Sequence, residues 1–192
     1  NATKKAVKDF KIKGIVSGAV GSVYQSTRIQ KICNKLKLEC FNPLWQKNQI
    51  ELLEDLIKNN FEEDVLNAFD SLIPGAYKAD LWRYCVMYIN GGIYLDIKYQ
   101  CVNGFKFISL TEKEYFCKEL DNKKIYNALI VSLPKNEIIL KCIYQIVENV
   151  KNNYYGTSSL DPTGPILLGK YFTQQEKNSI ELYYTTTKIE NK

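Results

Sequence analysis

A chain of 192 residues can bury the core of one domain, or of one domain and part of a second, without disulfides or metal staples. The net charge of +5 comes from basic residues scattered among acids, without a basic stripe interleaved with aromatics, which argues against nucleic-acid binding. Histidine is absent, which excludes serine–histidine–aspartate triads, cysteine–histidine dyads and HExxH zinc sites.

The cysteines and the apolar runs bear on the compartment. No apolar run is long enough to span a bilayer, so we expect no membrane span in this chain. The six cysteines show no CxxC spacing, and several lie in apolar patterns typical of buried free thiols, which indicates a reducing, cytoplasmic compartment. The first residue is Asn1, so we expect a fragment or a processed product.

The apolar periodicity predicts alternating strands and helices, the pattern of an α/β protein. Strand-like runs, in chain order, lie at 13–17, 39–42, 93–95, 115–117 and 128–132. Segments with helical spacing lie at 24–36, 49–59, 61–72, 76–90 and 137–151. The first strand is expected to be buried and to lead into a small-residue turn at 18–22, so the chain begins with a βαβ-like unit. The strand at 93–95 is expected to be central and buried.

Two acids and an arginine surround one predicted helix–strand connection. Asp80 and Arg83 are three residues apart on the helix and share a face. The glycine pair 91–92 lets the chain reverse into the strand, and Asp96 follows the strand, where ligands bind in α/β sheets. Carboxylates and a guanidinium suit a ligand that carries hydroxyls and phosphates.

Arginine occurs only twice in the sequence, against 24 lysines. An arginine kept against such a bias indicates a need for its planar fork of donors rather than for a bare charge. Both arginines, Arg28 and Arg83, fall within the two motif regions of the chain.

The runs 79–84 (ADLWRY) and 91–96 (GGIYLD), together with Asn127 and the run 163–165 (TGP), resemble a known family. They are similar to the sugar-binding region of DxD-type retaining glycosyltransferases, over about residues 59–172. The family includes fungal mannosyltransferases, bacterial capsule enzymes and glucosylating toxins. The resemblance implies a GT-A-like, Rossmann-related fold, a UDP- or GDP-hexose donor, an acceptor of unknown identity, and Mn²⁺ or Mg²⁺ as cofactor.

The same resemblance implies roles for individual residues. Asp80 and Arg83 are expected to contact hydroxyls of the donor sugar. Asp96 matches the first acid of the DxD motif, near the nucleotide ribose and the metal, and is the expected metal ligand. The other residues expected in the donor site are Tyr94, Asn127, Thr163 and Gly164.

The second acid of the DxD motif is replaced by Lys98. A charged lysine cannot ligate a cation. Three interpretations stay open. Lys98 replaces the cation and, beside Asp96 in the catalytic centre, neutralises the leaving diphosphate; another acid, such as Asp161, supplies the missing ligand; or the protein binds a sugar nucleotide without turnover.

The first segment resembles a second family. The similarity lies in Tyr24-Gln25, Arg28 and the run 43–45 (PLW). Residues 5–57 are similar to part of the diphthine–ammonia ligases, which are ATP-dependent amidating enzymes. The SGGKDS-type pyrophosphate loop of such enzymes is absent from the sequence. The motif positions that are altered are Val23, Ser26 and Gln30.

The two resemblances divide the chain into a ligase-like βαβ segment over 1–57 and a glycosyltransferase core over 58–192. The leading prediction is a glycosyltransferase that moves a hexose from a nucleotide sugar to an acceptor, with retention. The alternatives are an ATP-dependent ligase-like fragment, in which Arg28→Ala would abolish ATP binding, and a non-catalytic nucleotide-sugar-binding module.

Overall fold

The computed structural model describes residues 2–17, 21–43, 45–110, 112–185 and 188–191. Residues 18–20 of the predicted small-residue turn, and Leu44, lie outside the described residues. The chain forms two compact units, Asn1–Asp55 and Leu56–Lys192. The ligase-like identity of the first segment and the transferase identity of the second remain predictions for these units.

The first unit is built around a short pair of parallel strands. Its elements, in chain order, are α1 (Ala2–Phe10), β1 (Gly14–Val16), α2 (Val23–Leu36), β2 (Glu39–Phe41) and the first part of α3 (Gln49–Asn60). β1 pairs in parallel with β2, so β1, α2 and β2 form the expected βαβ unit. The Ser22 hydroxyl caps α2 by accepting a hydrogen bond from the Gln25 amide at 3.3 Å.

The prediction that β1 is buried is wrong. Val16 is 72% exposed, and within β1 only Ile15 is partly buried. Successive side chains of a strand point to opposite faces, so a covered face on one side leaves the other side exposed. An apolar run such as 13–17 does not reveal how many faces of its sheet are covered.

Three helices of the second unit pack together and provide much of its core. They are α4 (Glu63–Ser71), α5 (Gly75–Asn90) and α6 (Glu137–Lys151), and α6 packs against both of the others. α6 begins at the residue that the spacing predicts, because the Asn136 side chain accepts a hydrogen bond from the Ile139 amide at 3.1 Å. The fully buried side chains of its apolar face are Ile139, Cys142, Ile143, Ile146 and Val147.

Two shorter helices follow, α7 (Pro165–Lys170) and α8 (Gln174–Ser179). α7 begins at Pro165, the last residue of the run 163–165. α8 was not predicted, because none of its residues is buried and no apolar period marks it. A capping box between Thr173 and Glu176 stabilises its first turn.

A five-stranded sheet in the order β3–β5–β4–β6–β7 completes the second unit. The strands are β3 (Gly92–Leu95), β4 (Tyr115–Lys118), β5 (Ile125–Ser132), β6 (Leu182–Tyr184) and β7 (Ile189–Asn191). β5 is buried along its whole length and pairs antiparallel with both β3 and β4. β6 pairs in parallel with β4, and a 3₁₀-helix lies at Phe107–Leu110. The α/β class predicted from the sequence is thus confirmed.

The prediction that β3 is a central, buried strand is wrong for the sheet as described. β3 is its terminal strand, and no residue of β3 is fully buried. The fully buried strand is β5 instead, which has a neighbouring strand on each side. Both runs are short and apolar, so hydrophobicity alone does not distinguish a strand with one neighbour from a strand with two.

The cysteines are free thiols, as predicted, and none forms a disulfide. The buried ones are Cys33, Cys85, Cys117 and Cys142. Among the described residues, no helix combines the length and the apolar character that crossing a membrane would require.

The connection between α5 and β3 depends on glycine. Gly91 has a φ of +60° and Gly92 a φ of +97°, a region that other residues adopt only under strain. Gly91 has ψ −155°, so it lies outside the left-handed helical region. A Cβ on Gly91 would lie 2.6 Å from Pro134 N and 2.7 Å from Ser132 O. This tight passage fixes the position at which the chain enters β3.

Gly91→Ala is expected to destabilise the protein by on the order of 2 kcal/mol, because the added Cβ overlaps neighbouring backbone at a strained φ. Gly75→Ala is the matched control, since a Cβ there meets nothing within 4 Å at the start of α5. Urea unfolding followed by circular dichroism measures both variants. Equal stabilities for the two would contradict this account of the turn.

Candidate functional site

Asp80 and Arg83 share one face of α5, as their spacing predicts, and they form an ion pair there. Arg83 Nη1 donates a hydrogen bond to Asp80 Oδ1 at 3.0 Å. The Arg83 residue is only 8% exposed, so its charge is largely removed from water. A buried charge of this kind needs several partners.

The Arg83 guanidinium connects three elements of the second unit. Its Nη1 also donates to the backbone oxygen of Asn127 on β5 at 3.0 Å. Its Nη2 lies 3.7 Å from Asp96 Oδ1, just beyond β3. The group lies over the ring of Tyr94, with Cζ 4.4 Å from the ring centroid, a cation–π contact. The predicted meeting of an acid, a guanidinium and a second acid at the end of one strand is therefore found.

Asp80 is held by three donors from three parts of the chain. Besides Arg83, the Asn127 side-chain amide donates to Oδ1 at 3.0 Å, and the Thr163 hydroxyl donates to Oδ2 at 2.8 Å. Gly164 brings the loop close, because a Cβ at that position would lie 3.1 Å from Leu160 O and 3.5 Å from Asp80 Oδ2. The Asp80 carboxylate is thus fixed in orientation.

Burial dominates the electrostatics of Asp80. Loss of water raises the pKa of its carboxyl above the usual value, although Arg83, Thr163 and Asn127 act in the opposite direction. The pKa of Tyr94 is also raised by burial, and its hydroxyl donates to Asp96 Oδ1 at 2.8 Å.

Asp96 and Lys98 form the more open side of the site. Lys98 Nζ lies 3.9 Å from Asp96 Oδ2, and the Lys98 side chain is 61% exposed. Lys98 also lines a cavity of about 1240 Å³ between the segment that follows β3 and the strands β6 and β7. Thr163 lines a second cavity of about 220 Å³, between the start of α5 and the end of α6.

Asp161, the acid considered as a further metal ligand, is engaged elsewhere. It is 3% exposed and accepts hydrogen bonds from Lys170 Nζ at 2.7 Å, Tyr154 Oη at 3.0 Å and the Thr157 amide at 3.1 Å. Burial alone would raise the pKa of this carboxyl, but these donors outweigh it and keep the pKa below the usual value. Asp161 therefore shapes the loop that carries Thr163.

The residues present do not fit a divalent cation. Within the described part of the chain, no three acidic or cysteine side chains are grouped as a metal ion would require. Asp80, the other acid of the site, is engaged by Arg83, and an ammonium occupies the position of the second acid of the motif. Hard divalent ions need several oxygen ligands, and a positive group at 3.9 Å from the one carboxylate opposes their binding.

The structure thus joins six of the predicted residues through direct contacts, and it places Gly164 and Lys98 beside them. The joined residues are Asp80, Arg83, Tyr94, Asp96, Asn127 and Thr163. Sequence reasoning missed Tyr99 and Tyr126, whose rings lie near the Lys98 ammonium. The only available signal was that each directly adjoins a predicted residue, Lys98 and Asn127.

A family model described as the glycosyltransferase sugar-binding region containing a DXD motif matches residues 23–117. The match includes α5 and β3 with Asp80, Arg83 and Asp96. It begins earlier than the similarity seen at about 59–172, within the segment that resembles the ligases, and it ends before Asn127.

Individual glycosyltransferases and diphthine–ammonia ligases are also similar to parts of this chain. An uncharacterized glycosyltransferase of Acanthamoeba polyphaga mimivirus is 29% identical over 155 residues, which cover 77% of this chain and 57% of that protein. The diphthine–ammonia ligase of Rattus norvegicus is 38% identical over 55 residues, 29% of this chain and 21% of the ligase. The solved structure of PaToxG glycosyltransferase aligns with 86% of this chain and 58% of its own at 19% identity, with a TM-score of 0.46. The chain therefore spans little more than half of these glycosyltransferases and about a fifth of the ligase.

Asp161→Asn is expected to destabilise the protein by about 2 kcal/mol at pH 7, because buried donors lose a charged acceptor. A carboxyl whose pKa is lowered on folding stabilises the folded state above the unfolded pKa of about 3.9. That contribution disappears as the pH falls through the lower folded-state value. The stability difference between wild type and variant should therefore shrink with acid.

Urea unfolding at a series of pH values measures this difference. Asp121→Asn is the control, because Asp121 is an exposed carboxylate that is also paired with a lysine, Lys124, at 3.3 Å; this variant should change stability little. A difference that grows as the pH falls would contradict the proposed role of Asp161.

Proposed function

We propose that the chain binds a nucleotide-sugar donor through Asp80, Arg83 and Asp96 and transfers the hexose to an acceptor, because residues 23–117 match the model of the DXD-type glycosyltransferase sugar-binding region. The observation that carries the proposal is the buried Arg83 guanidinium, which holds Asp80 and lies beside Asp96 within the matched region. An isolated acid–arginine pair on a helix surface would have neither this burial nor the second acid.

The hydrogen bonds of Asp80 leave room for a sugar hydroxyl. A carboxylate has about four acceptor positions, and Arg83, Asn127 and Thr163 occupy three of them. The remaining position can accept one hydroxyl hydrogen. Three donors already fix the carboxylate. It would therefore lose little conformational entropy when it binds and orients a sugar hydroxyl.

The donor is proposed to be a UDP- or GDP-hexose, and the transfer is proposed to retain the anomeric configuration, as the resemblance implies. In such a transfer the acceptor oxygen forms a bond to the anomeric carbon while the bond from that carbon to the diphosphate breaks. The electron pair goes to the diphosphate oxygen, and the proton of the acceptor hydroxyl leaves to the same group. The protein is then required to position both partners and to stabilise the new charge on the diphosphate.

A second candidate is an ATP-dependent ligase activity, favoured by the identity of 38% with the rat ligase over 55 residues. In the first unit, Arg28 Nη1 donates to the Tyr24 hydroxyl at 3.1 Å, on an exposed face of α2. The missing pyrophosphate loop disfavours this candidate. A third candidate, a module that binds nucleotide sugars without turnover, differs from the first only in the chemical step.

The test is calorimetric titration of UDP-glucose, GDP-mannose and ATP into the wild type, Arg83→Lys and Arg28→Lys. We expect one sugar nucleotide to bind and Arg83→Lys to weaken its binding by about tenfold or more, because lysine cannot donate to Asp80 and Asn127 at once in the planar geometry of arginine. Arg28→Lys, the matched control at the other arginine, should leave this binding unchanged.

The opposite pattern would favour the ligase. If ATP alone binds and Arg28→Lys weakens it, the transferase proposal fails. If a sugar nucleotide binds but no labelled hexose reaches water or any acceptor, the module without turnover is the better description. Circular dichroism of both variants confirms that each is folded.

A further inference from the structure

We propose that the Lys98 ammonium takes the place of the divalent cation in this site, and that Asp96, Tyr99 and Tyr126 hold it there. The inference rests on the proposed function, because it concerns how the diphosphate of a bound nucleotide sugar would be neutralised. It adds two positioning residues, Tyr99 and Tyr126, that the DXD motif does not contain.

The charge at position 98 favours an anion over a divalent cation. Lys98 stands where the motif has its second acid, and its ammonium lies 3.9 Å from Asp96 Oδ2. The substitution replaces a negative charge by a positive charge beside the remaining carboxylate, which lowers the attraction of the site for Mn²⁺ or Mg²⁺ and raises its attraction for an anion. A diphosphate brings the anionic oxygens to which an ammonium can donate hydrogen bonds.

Two aromatic rings position the ammonium. Lys98 Nζ lies 5.4 Å from the centroid of the Tyr99 ring and 5.9 Å from that of the Tyr126 ring. Both distances are within the range of a cation–π attraction. An ordinary surface lysine has no such pair of rings beside it, so the side chain has a preferred place although it is exposed.

The rings are themselves held in place. The Tyr99 and Tyr126 hydroxyls are hydrogen-bonded to each other, and their rings meet edge to face with centroids 6.2 Å apart. Tyr126 stacks on Tyr184 at a centroid distance of 4.0 Å. Tyr126 lies on the buried strand β5, next to Asn127 of the Asp80 network. Because successive side chains of a strand point to opposite faces, the rings reach the site through the Lys98 ammonium, which lies 3.9 Å from Asp96.

The ammonium remains accessible to a ligand. Lys98 is 61% exposed at its side chain and lines the cavity of about 1240 Å³. Asp96 is oriented from its other oxygen, since Tyr94 donates to Oδ1 while Lys98 lies near Oδ2. A ligand can therefore reach the ammonium without displacing the contacts that fix Asp96.

During the transfer, the bond between the anomeric carbon and the diphosphate oxygen breaks and its electron pair stays on the diphosphate. The acceptor oxygen forms the new bond to carbon, and the acceptor proton moves to the departing diphosphate. Lys98 keeps its own proton throughout and offsets the negative charge that develops on the leaving group. The transfer needs no reactant other than the nucleotide sugar and the acceptor.

The experiment is titration of UDP-glucose and GDP-mannose in EDTA and again in Mn²⁺, with titration of Mn²⁺ alone as a second readout. We expect wild type to bind one donor with a Kd that differs by less than about twofold between the two conditions, and to bind Mn²⁺ alone weakly or not at all. Lys98→Met should weaken donor binding by about tenfold or more in EDTA. Lys98→Asp restores the two acids of the motif, and it should gain Mn²⁺ binding and require Mn²⁺ for the donor.

Lys106→Asp is the matched control, because it makes the same charge change at an exposed lysine in the same segment; it should not gain Mn²⁺ binding. For the positioning residues, Tyr99→Phe keeps the ring but loses the hydrogen bond to Tyr126, and it should weaken donor binding less than the loss of the ring does. Tyr99→Leu removes the ring and should weaken donor binding in EDTA by several-fold. Rescue by Phe separates positioning from a general loss of structure, which thermal melting of each variant also reports.

Three results would overturn the inference. Donor binding by wild type that requires Mn²⁺ would mean that Lys98 does not replace the cation, while the proposed function would stand. Donor binding that is unaffected by both EDTA and Lys98→Met would mean that the ammonium has no part in it. Absence of donor binding under every condition would refute the proposed function, and this inference with it.

Discussion

The candidate site depends on a guanidinium buried between a helix and a sheet. Arg83 lies on α5, and its partners lie on the same helix, on β5 and just beyond β3. A charge with so little access to water is tolerated only if neighbouring groups replace its hydration. Here a carboxylate, a backbone oxygen, a second carboxylate and an aromatic face do so together. These groups cannot move independently, because each compensates the same charge.

The loop at 161–164 also contains a buried charge that is compensated by a neighbouring group of opposite charge. Asp161 is buried and neutralised by Lys170, and this pairing orders the turn that brings Thr163 to Asp80. The Asn149 side chain on α6 also donates to Pro162 O at 2.8 Å, which attaches the loop to the helix layer. Asp80, Arg83 and Thr163 are therefore oriented before any ligand arrives, and in a site of this kind preorganisation of the polar groups strengthens recognition.

Much of the fold could be predicted from the sequence, for identifiable reasons. α5 and α6 have long apolar periods, and Gly91 marks the end of α5 because no other residue fits the passage to β3. The predictions failed where the answer depended on neighbours distant in sequence. β3 and β5 are both short apolar runs, and the apolar run that contains Val16 is typical of a buried strand. Strand order and packing decide which faces of these strands are covered.

The sequence by itself determined that Asp80 and Arg83 share a helix face, that Asp96 follows a strand, and that Lys98 stands where the motif has an acid, because these follow from local spacing and residue type. The tertiary structure alone decided that Asn127 and Thr163 converge on Asp80, and that Asp161 is engaged by Lys170. It also decided that Tyr99 and Tyr126 surround the Lys98 ammonium. Contacts between residues separated by tens of positions depend on how elements pack, and no local pattern encodes that packing.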